Sequence, residues 1–179
     1  MQGWNEGCKS VLMANKKITE PSIGLSKETR EAVSKILSGI LADQHVLYIK
    51  KRNFHWNLIG GRFHTLHEYF EQLYTELALS IDETAERIRM IGGVAPGSMA
   101  EFLELASLKE TKGSLTEGED AIAALLSDHE ACIRTIREAI EEVEDNLGDV
   151  GTADFLTALL QKHEMNAWML RSYSDSTNS

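Results

Sequence analysis

The distribution of proline limits this chain more than any other feature. Only Pro21 and Pro96 occur in 179 residues, which leaves long stretches free of the residue that interrupts a helix. Apolar residues fill those stretches at the three-four spacing of amphipathic helices. After Ser26, a suitable N-cap, Val33, Ile36, Leu37, Ile40, Leu41, Leu47, Tyr48 and Phe54 predict a helix ending near Asn57. The Gly60–Gly61 pair breaks it. A second stripe of Phe63, Leu66, Phe70, Leu73, Leu77, Ile81, Ala85 and Ile88 then runs to Gly92–Gly93. Ser98 ahead of Met99, Phe102, Leu103 and Leu105 predicts a small helix in the connection that follows. Thr116 with Glu119 forms a capping box leading into Ile122, Leu125, Leu126, Ile133, Ile136, Ile140, Val143 and Leu147. Asn146–Gly148 stops that helix, and Thr152 is the expected cap of a last one carrying Phe155, Leu156, Leu159, Leu160, Trp168 and Leu170.

Two long helices, a crossover and two more long helices describe an all-α fold, the ferritin-like four-helix bundle, with a short extra helix in the crossover between helices two and three. The expected bundle covers residues 26–172. Residues 1–25 are expected as a flexible tail and 173–179 as a polar one, because neither end shows a hydrophobic period. Charge is distributed unevenly between body and tail. The chain carries 18 Lys+Arg against 28 Asp+Glu, and residues 1–27 hold Lys9, Lys16, Lys17 and Lys27 against Glu6 and Glu20, so the tail with the first residue of the bundle helix is +2 and the remainder, with 14 positive and 26 negative groups, is −12. Such a body attracts cations and repels nucleic acid and anionic membranes. Two cysteines, Cys8 and Cys132, are too few for a disulfide framework and point to a reducing, cytoplasmic setting. No apolar run suits export or membrane spanning.

Residues 53–93 concentrate metal-ligand types: His55, His67, Glu71, Asp82 and Glu86. His67/Glu71 and Asp82/Glu86 are i,i+4 pairs, each on one helix face. A short Gly-containing loop forces helices one and two antiparallel, so His55 approaches His67. Asp82, however, lies 15 residues beyond His67, roughly 22 Å along one helix, whereas metal–ligand bonds are about 2 Å long. One chain cannot unite all four, but a twofold pair can, with two histidines from one copy and two carboxylates from the other. Mixed imidazole and carboxylate donors suit Fe, Mn or Zn better than Mg or Ca. No Glu stands three residues before any of the six histidines, so the usual di-iron centre inside the bundle is not expected. His129 and His163 fall on apolar stripes as core histidines, Cys132 reads as a small core hydrophobe, and Glu83 reads as a solvated residue. His45 and His64 read as structural or exposed.

The segments NFHWN, FHTLHEYFE, IDETAERI, the glycine pair after helix two, and HEMNAWMLRS together resemble the Dps family of small ferritin-like proteins, over about residues 26–172. The resemblance implies a hollow dodecamer that oxidises Fe(II), preferably with hydrogen peroxide, and stores the ferric product as a mineral. It implies inter-subunit ferroxidase ligands at His55, His67, Asp82 and Glu86, and Trp56 close to the iron. Where many members carry Asp one turn after the second histidine, this chain has Glu71, which either ligates or only hydrogen-bonds. Acidic residues near the start of helix four line a threefold pore in related shells, which makes Asp149 and Asp154 the pore candidates here. The helix dipole alone also favours acidic residues at that place.

Three functions fit these residues unequally. The leading reading is a ferroxidase and iron store, with Zn as a competing ion. The alternative is a nucleoid-associated protein that compacts DNA through its N-terminal lysines, which the −12 body opposes. A shell without metal chemistry would leave the ligand set unexplained.

Overall fold

The computed structural model describes residues 19–113 and 116–175. Five α-helices order as α1 (Lys27–Asn57), α2 (Phe63–Met90), α3 (Met99–Leu105), α4 (Gly118–Glu141) and α5 (Val150–Asp175), and the described residues contain no strand. α1 pairs with α2 and α4 with α5 in two antiparallel hairpins. The hairpins join with α1 beside α4 and α2 beside α5, and α3 lies against α1. Val33, Leu37, Leu41, Leu47, Phe54, Leu66, Phe70, Leu73, Ile88, Ile122, Leu125 and Leu156 form the centre of one continuous core. This is the all-helical bundle the proline-free stripes predict.

The helix ends differ in part from expectation, each for a local reason. Ser26 caps α1 by accepting from the Thr29 N–H at 3.0 Å, and Ser98 caps α3 in a reciprocal box with Glu101. The box expected from Thr116 and Glu119 does not form. α4 starts at Gly118 behind Glu117, with no side-chain cap, because the Thr116 carbonyl is taken by the Ile59 N–H at 3.1 Å. α4 ends in a five-residue π-helical turn, Glu142–Asn146, closed by the Leu147 N–H on the Glu142 carbonyl five residues back. Gly148, at φ +67°, turns the chain so that the Asp149 N–H reaches the Val143 carbonyl at 3.0 Å. Asp149, not Thr152, is then the cap of α5: its Oδ1 accepts from the Thr152 N–H at 3.0 Å, and the Thr152 hydroxyl donates back to Oδ2. α5 runs three residues past the expected bundle end at 172.

Two polar contacts fix the segments between helices. Buried Asp43 on α1 accepts from the Ser107 and Leu108 N–H groups and the Ser107 hydroxyl at 2.7–2.8 Å, fastening the crossover to the bundle. The described part of the N-terminal segment is docked too, with Glu20 paired to Arg30 and Pro21 over Gly92. Lys9, Lys16 and Lys17, the rest of the expected tail, and residues 176–179 lie outside the described residues.

Candidate metal centre

The last turn of a helix leaves carbonyls without intrahelical partners, and the first turn of the next helix brings side chains to meet them. Between α1 and α2 the five-residue turn through Gly60, at φ +103°, sets these two ends side by side. His67 Nδ1–H donates to the carbonyl of His55 at 2.9 Å, and His55 Nδ1–H donates to the carbonyl of His67 at 2.8 Å. A carbonyl accepts only, so both rings carry their proton on Nδ1 and keep Nε2 for a ligand. Metal-binding histidines are typically oriented by this kind of bond. The two rings stack at 3.8 Å with an 18° interplanar angle, Phe63 stacks on His67 at 4.9 Å, and Tyr74 meets His55 edge-on at 5.2 Å.

Glu71, one turn after His67, completes the local group. Ligand atoms of His55, His67 and Glu71 all lie within 4.8 Å of one another, the one such group of three or more His, Cys, Asp or Glu among the described residues. His55 is buried, His67 half-buried and Glu71 exposed, so the group opens to one side. Burial and the neighbouring Glu71 carboxylate raise the Tyr74 pKa. Tyr74 was not singled out in the sequence, although it sits seven residues after His67 on the same helical face.

The other expected site residues are elsewhere. Asp82 and Glu86 are exposed on the far part of α2 and do not join the histidines within one chain. Glu86 instead shares a groove of about 450 Å³ with Glu83, Arg87, Asp154 and Lys162. Glu83 is paired with Lys162 at 2.9 Å. Asp154 is exposed, whereas Asp149 is buried, with its carboxylate engaged by Thr152 and by Arg87 at 3.2 Å. Its commitments are those of a helix cap. Trp56 is 61% exposed, with the Arg52 guanidinium carbon 5.0 Å from its ring centre.

A second polar group is sealed in the bundle centre. His129 and His163 face each other with Nδ1 atoms 3.1 Å apart, the hydrogen-bonded core pair that their apolar stripes suggest. Burial holds His129 well below the ordinary histidine range and His163 at about 3, with the charge of Lys51 as the next cause for both. Lys51 has no exposed surface, and burial pushes its ammonium down to about 7; its one hydrogen bond goes to the Leu73 carbonyl at 3.3 Å. Cys132 is buried as expected, its thiol pushed up to about 12. His45 stacks on Phe102 at 3.6 Å and serves the α1–α3 contact, and His64 is exposed.

Bundle topology and site together define a ferritin-like protein, and the ferritin-like domain family matches residues 34–179. The chain belongs, within that class, to the Dps family. It is 41% identical to the DNA protection during starvation protein 2 of Bacillus anthracis, over 79% of this chain and 95% of that one. A low temperature-induced protein of Nostoc is 43% identical over 85% of both chains. Among solved structures, the Dps protein of Vibrio cholerae, described as a member of the ferritin-like diiron-carboxylate superfamily, superimposes with a TM-score of 0.81 at 30% identity, covering 87% of this chain and 97% of that one. No helix among the described residues is long and apolar enough to cross a membrane.

Proposed function

We propose that this protein is a ferroxidase and iron store, oxidising Fe(II) with hydrogen peroxide or dioxygen at sites shared between two copies of the chain. The observation that carries the reading is the locked imidazole pair with Glu71 beside it. It offers half of a metal site, while the remaining donors, Asp82 and Glu86, sit roughly 22 and 28 Å further along the same helix. A twofold partner supplies the other half. Ile49, Trp56, Ile59 and Phe63, on the elements around the histidines, are each at least 40% exposed, which is large apolar surface for a second copy to cover.

Each half then has a defined task. His55 and His67 present Nε2 in fixed orientation, Asp82 and Glu86 of the partner subunit add negative charge, and Glu71 is the fifth donor. Fe(II) is substrate and cargo rather than a resident cofactor, and Zn(II), suited to the same donors, competes with it. Two Fe(II) ions give one electron each to one hydrogen peroxide, whose O–O bond breaks to leave water, so no hydroxyl radical escapes. Ferric product collects inside a hollow dodecamer built from the twofold pairs, with Asp154 at its iron inlet. In this reading the protein acts in the cytoplasm and guards DNA by consuming iron and peroxide together. DNA compaction through the N-terminal lysines is the second reading, which the −12 body disfavours.

The decisive test mixes two dead proteins. His55→Ala/His67→Ala lacks one half of every site and Asp82→Ala/Glu86→Ala lacks the other, so neither alone should oxidise Fe(II) quickly. Random co-assembly makes about half of the pairs mixed, each with one of two sites whole, so about a quarter of parental activity should return. No recovery in proven mixed shells would refute the shared site.

A further inference from the structure

Two matching stripes meet at the site. On α2, His67, Glu71 and Tyr74 stand at i, i+4 and i+7, and on α1, Tyr48, Arg52 and His55 do the same, so each trio shares one helical face. The Arg52 guanidinium carbon lies 5.0 Å from the ring centres of Tyr74 and Trp56 and 5.5 Å from that of Tyr48. Its Nη1 donates to the Tyr48 hydroxyl at 2.6 Å. Among the described residues Arg52 has no carboxylate within ion-pair distance, and its Nε is buried without a partner. Aromatic faces and one hydroxyl therefore hold this cation. Tyr48 in turn meets Tyr74 edge-on at 6.1 Å and 89°.

We propose that Tyr74, clamped by Arg52 and Tyr48, is a positioning residue that aims the Glu71 carboxylate at the two imidazoles. The inference rests on the metal-site reading and adds to it the means by which one chain's half-site is kept in shape. Glu71 is exposed and makes no ion pair among the described residues, so a long side chain of this kind would otherwise sample many rotamers. The Tyr74 ring meets His55 edge-on at 5.2 Å and carries the Arg52 guanidinium carbon 5.0 Å from its centre. Tyr74 stands one turn after Glu71 on the same face of α2, which places its hydroxyl to donate to the Glu71 carboxylate and restrict it to the side of the two imidazoles. The longer arm of Glu matters here, because it spans from its own turn of α2 to the hydroxyl while leaving one oxygen for a metal.

Cobalt(II) is a suitable probe, since its visible absorption reports both affinity and coordination geometry without turnover. The assembled protein should bind Co(II), and His55→Ala/His67→Ala should not. Were the double histidine variant to bind as the parent does, the site reading itself would fail. Tyr74→Phe keeps the ring and removes only the hydroxyl, and it should weaken Co(II) binding about tenfold and alter the band intensity, as loss of an outer-shell partner does. It should also raise KM for Fe(II) more than it lowers kcat. In a Glu71→Ala background the same change should have no further effect, because Tyr74 acts through that carboxylate. Arg52→Met should shift affinity in the same direction, and Arg52→Lys, which keeps charge but not the planar stack, should restore little of it. Unchanged Co(II) affinity in Tyr74→Phe, or an equal loss with Glu71 already removed, overturns the positioning role while leaving the metal site standing.

Discussion

Replacing Lys51 by Met should stabilise the protein near neutral pH and flatten its pH dependence. Lys51 is fully buried with one hydrogen bond, and its ammonium titrates near 7 instead of 10.5. The folded-state value is the lower one, so between these two pH values the unfolded chain binds the extra proton and stability rises with pH. A displacement of this size corresponds to a cost of about 4 kcal/mol at pH 7 and about 2 kcal/mol at pH 9, at about 1.4 kcal/mol per pH unit. Above pH 7 both His129 and His163 are neutral in the folded state, so they add little to the slope. Met fills the same volume without the charge, and the Leu73 carbonyl keeps its helical partner. Chemical denaturation at matched chain concentration, run at both pH values, should show the variant ahead at pH 7 and the parent recovering about 2 kcal/mol of the gap by pH 9. Parallel pH profiles, or a variant less stable at pH 7, would refute the reasoning and mean that the ammonium is compensated by neighbours more fully than its one hydrogen bond indicates.

Asp149→Ala removes the cap of α5 and the partner of Arg87, and should cost about 1–2 kcal/mol, with Asp149→Asn recovering most of it because Asn caps as well; urea midpoints of the three proteins decide this. Gly92→Ala should cost clearly more than Gly60→Ala in thermal melting. Both glycines have positive φ, a strain of about 1–3 kcal/mol for a side chain, but only at Gly92 would the new Cβ also meet Arg30 Nη1 at 2.7 Å and Pro21 Cγ at 2.8 Å, whereas nothing lies within 4 Å at Gly60. Equal losses would show that the docked segment around Pro21 yields freely.

Hydrophobic periodicity together with the glycine pairs and Ser caps that mark the ends places α1, α2 and α3 to within a residue or two. It failed where a backbone group found a distant partner. Thr116 looks like a cap until its carbonyl is seen bound to Ile59, and Asp149 outcompetes Thr152 only because the π-helical turn and Gly148 deliver it to the head of α5. At the site, the spacing of His55, His67, Glu71, Asp82 and Glu86 carried the chemistry, since ligand types at i,i+4 are visible in one dimension. Tyr48, Arg52 and Tyr74 were not visible, because aromatic residues on an apolar stripe read as core and an arginine beside them reads as solvated. Lys51 was hidden for the opposite reason. Leu47, Lys50, Lys51, Phe54 and His55 are all buried, so Lys51 lies on a face of α1 with no water to meet its charge.

The reciprocal bonds between His55 and His67 join residues 12 positions apart, whereas Asp43 waits 64 positions for Ser107 and Arg87 waits 62 for Asp149. Closing a loop of about ten residues takes on the order of 10–100 ns, and entropy penalises the longer closures more. The aim of the two imidazoles is therefore set within a single helical hairpin that leaves the ribosome before α4 and α5 are made. Those later helices bury the hairpin but have no part in pointing its histidines. A shuffled or circularly permuted chain that keeps residues 27–90 contiguous inherits the imidazole geometry, and one cut in the turn around Gly60 does not.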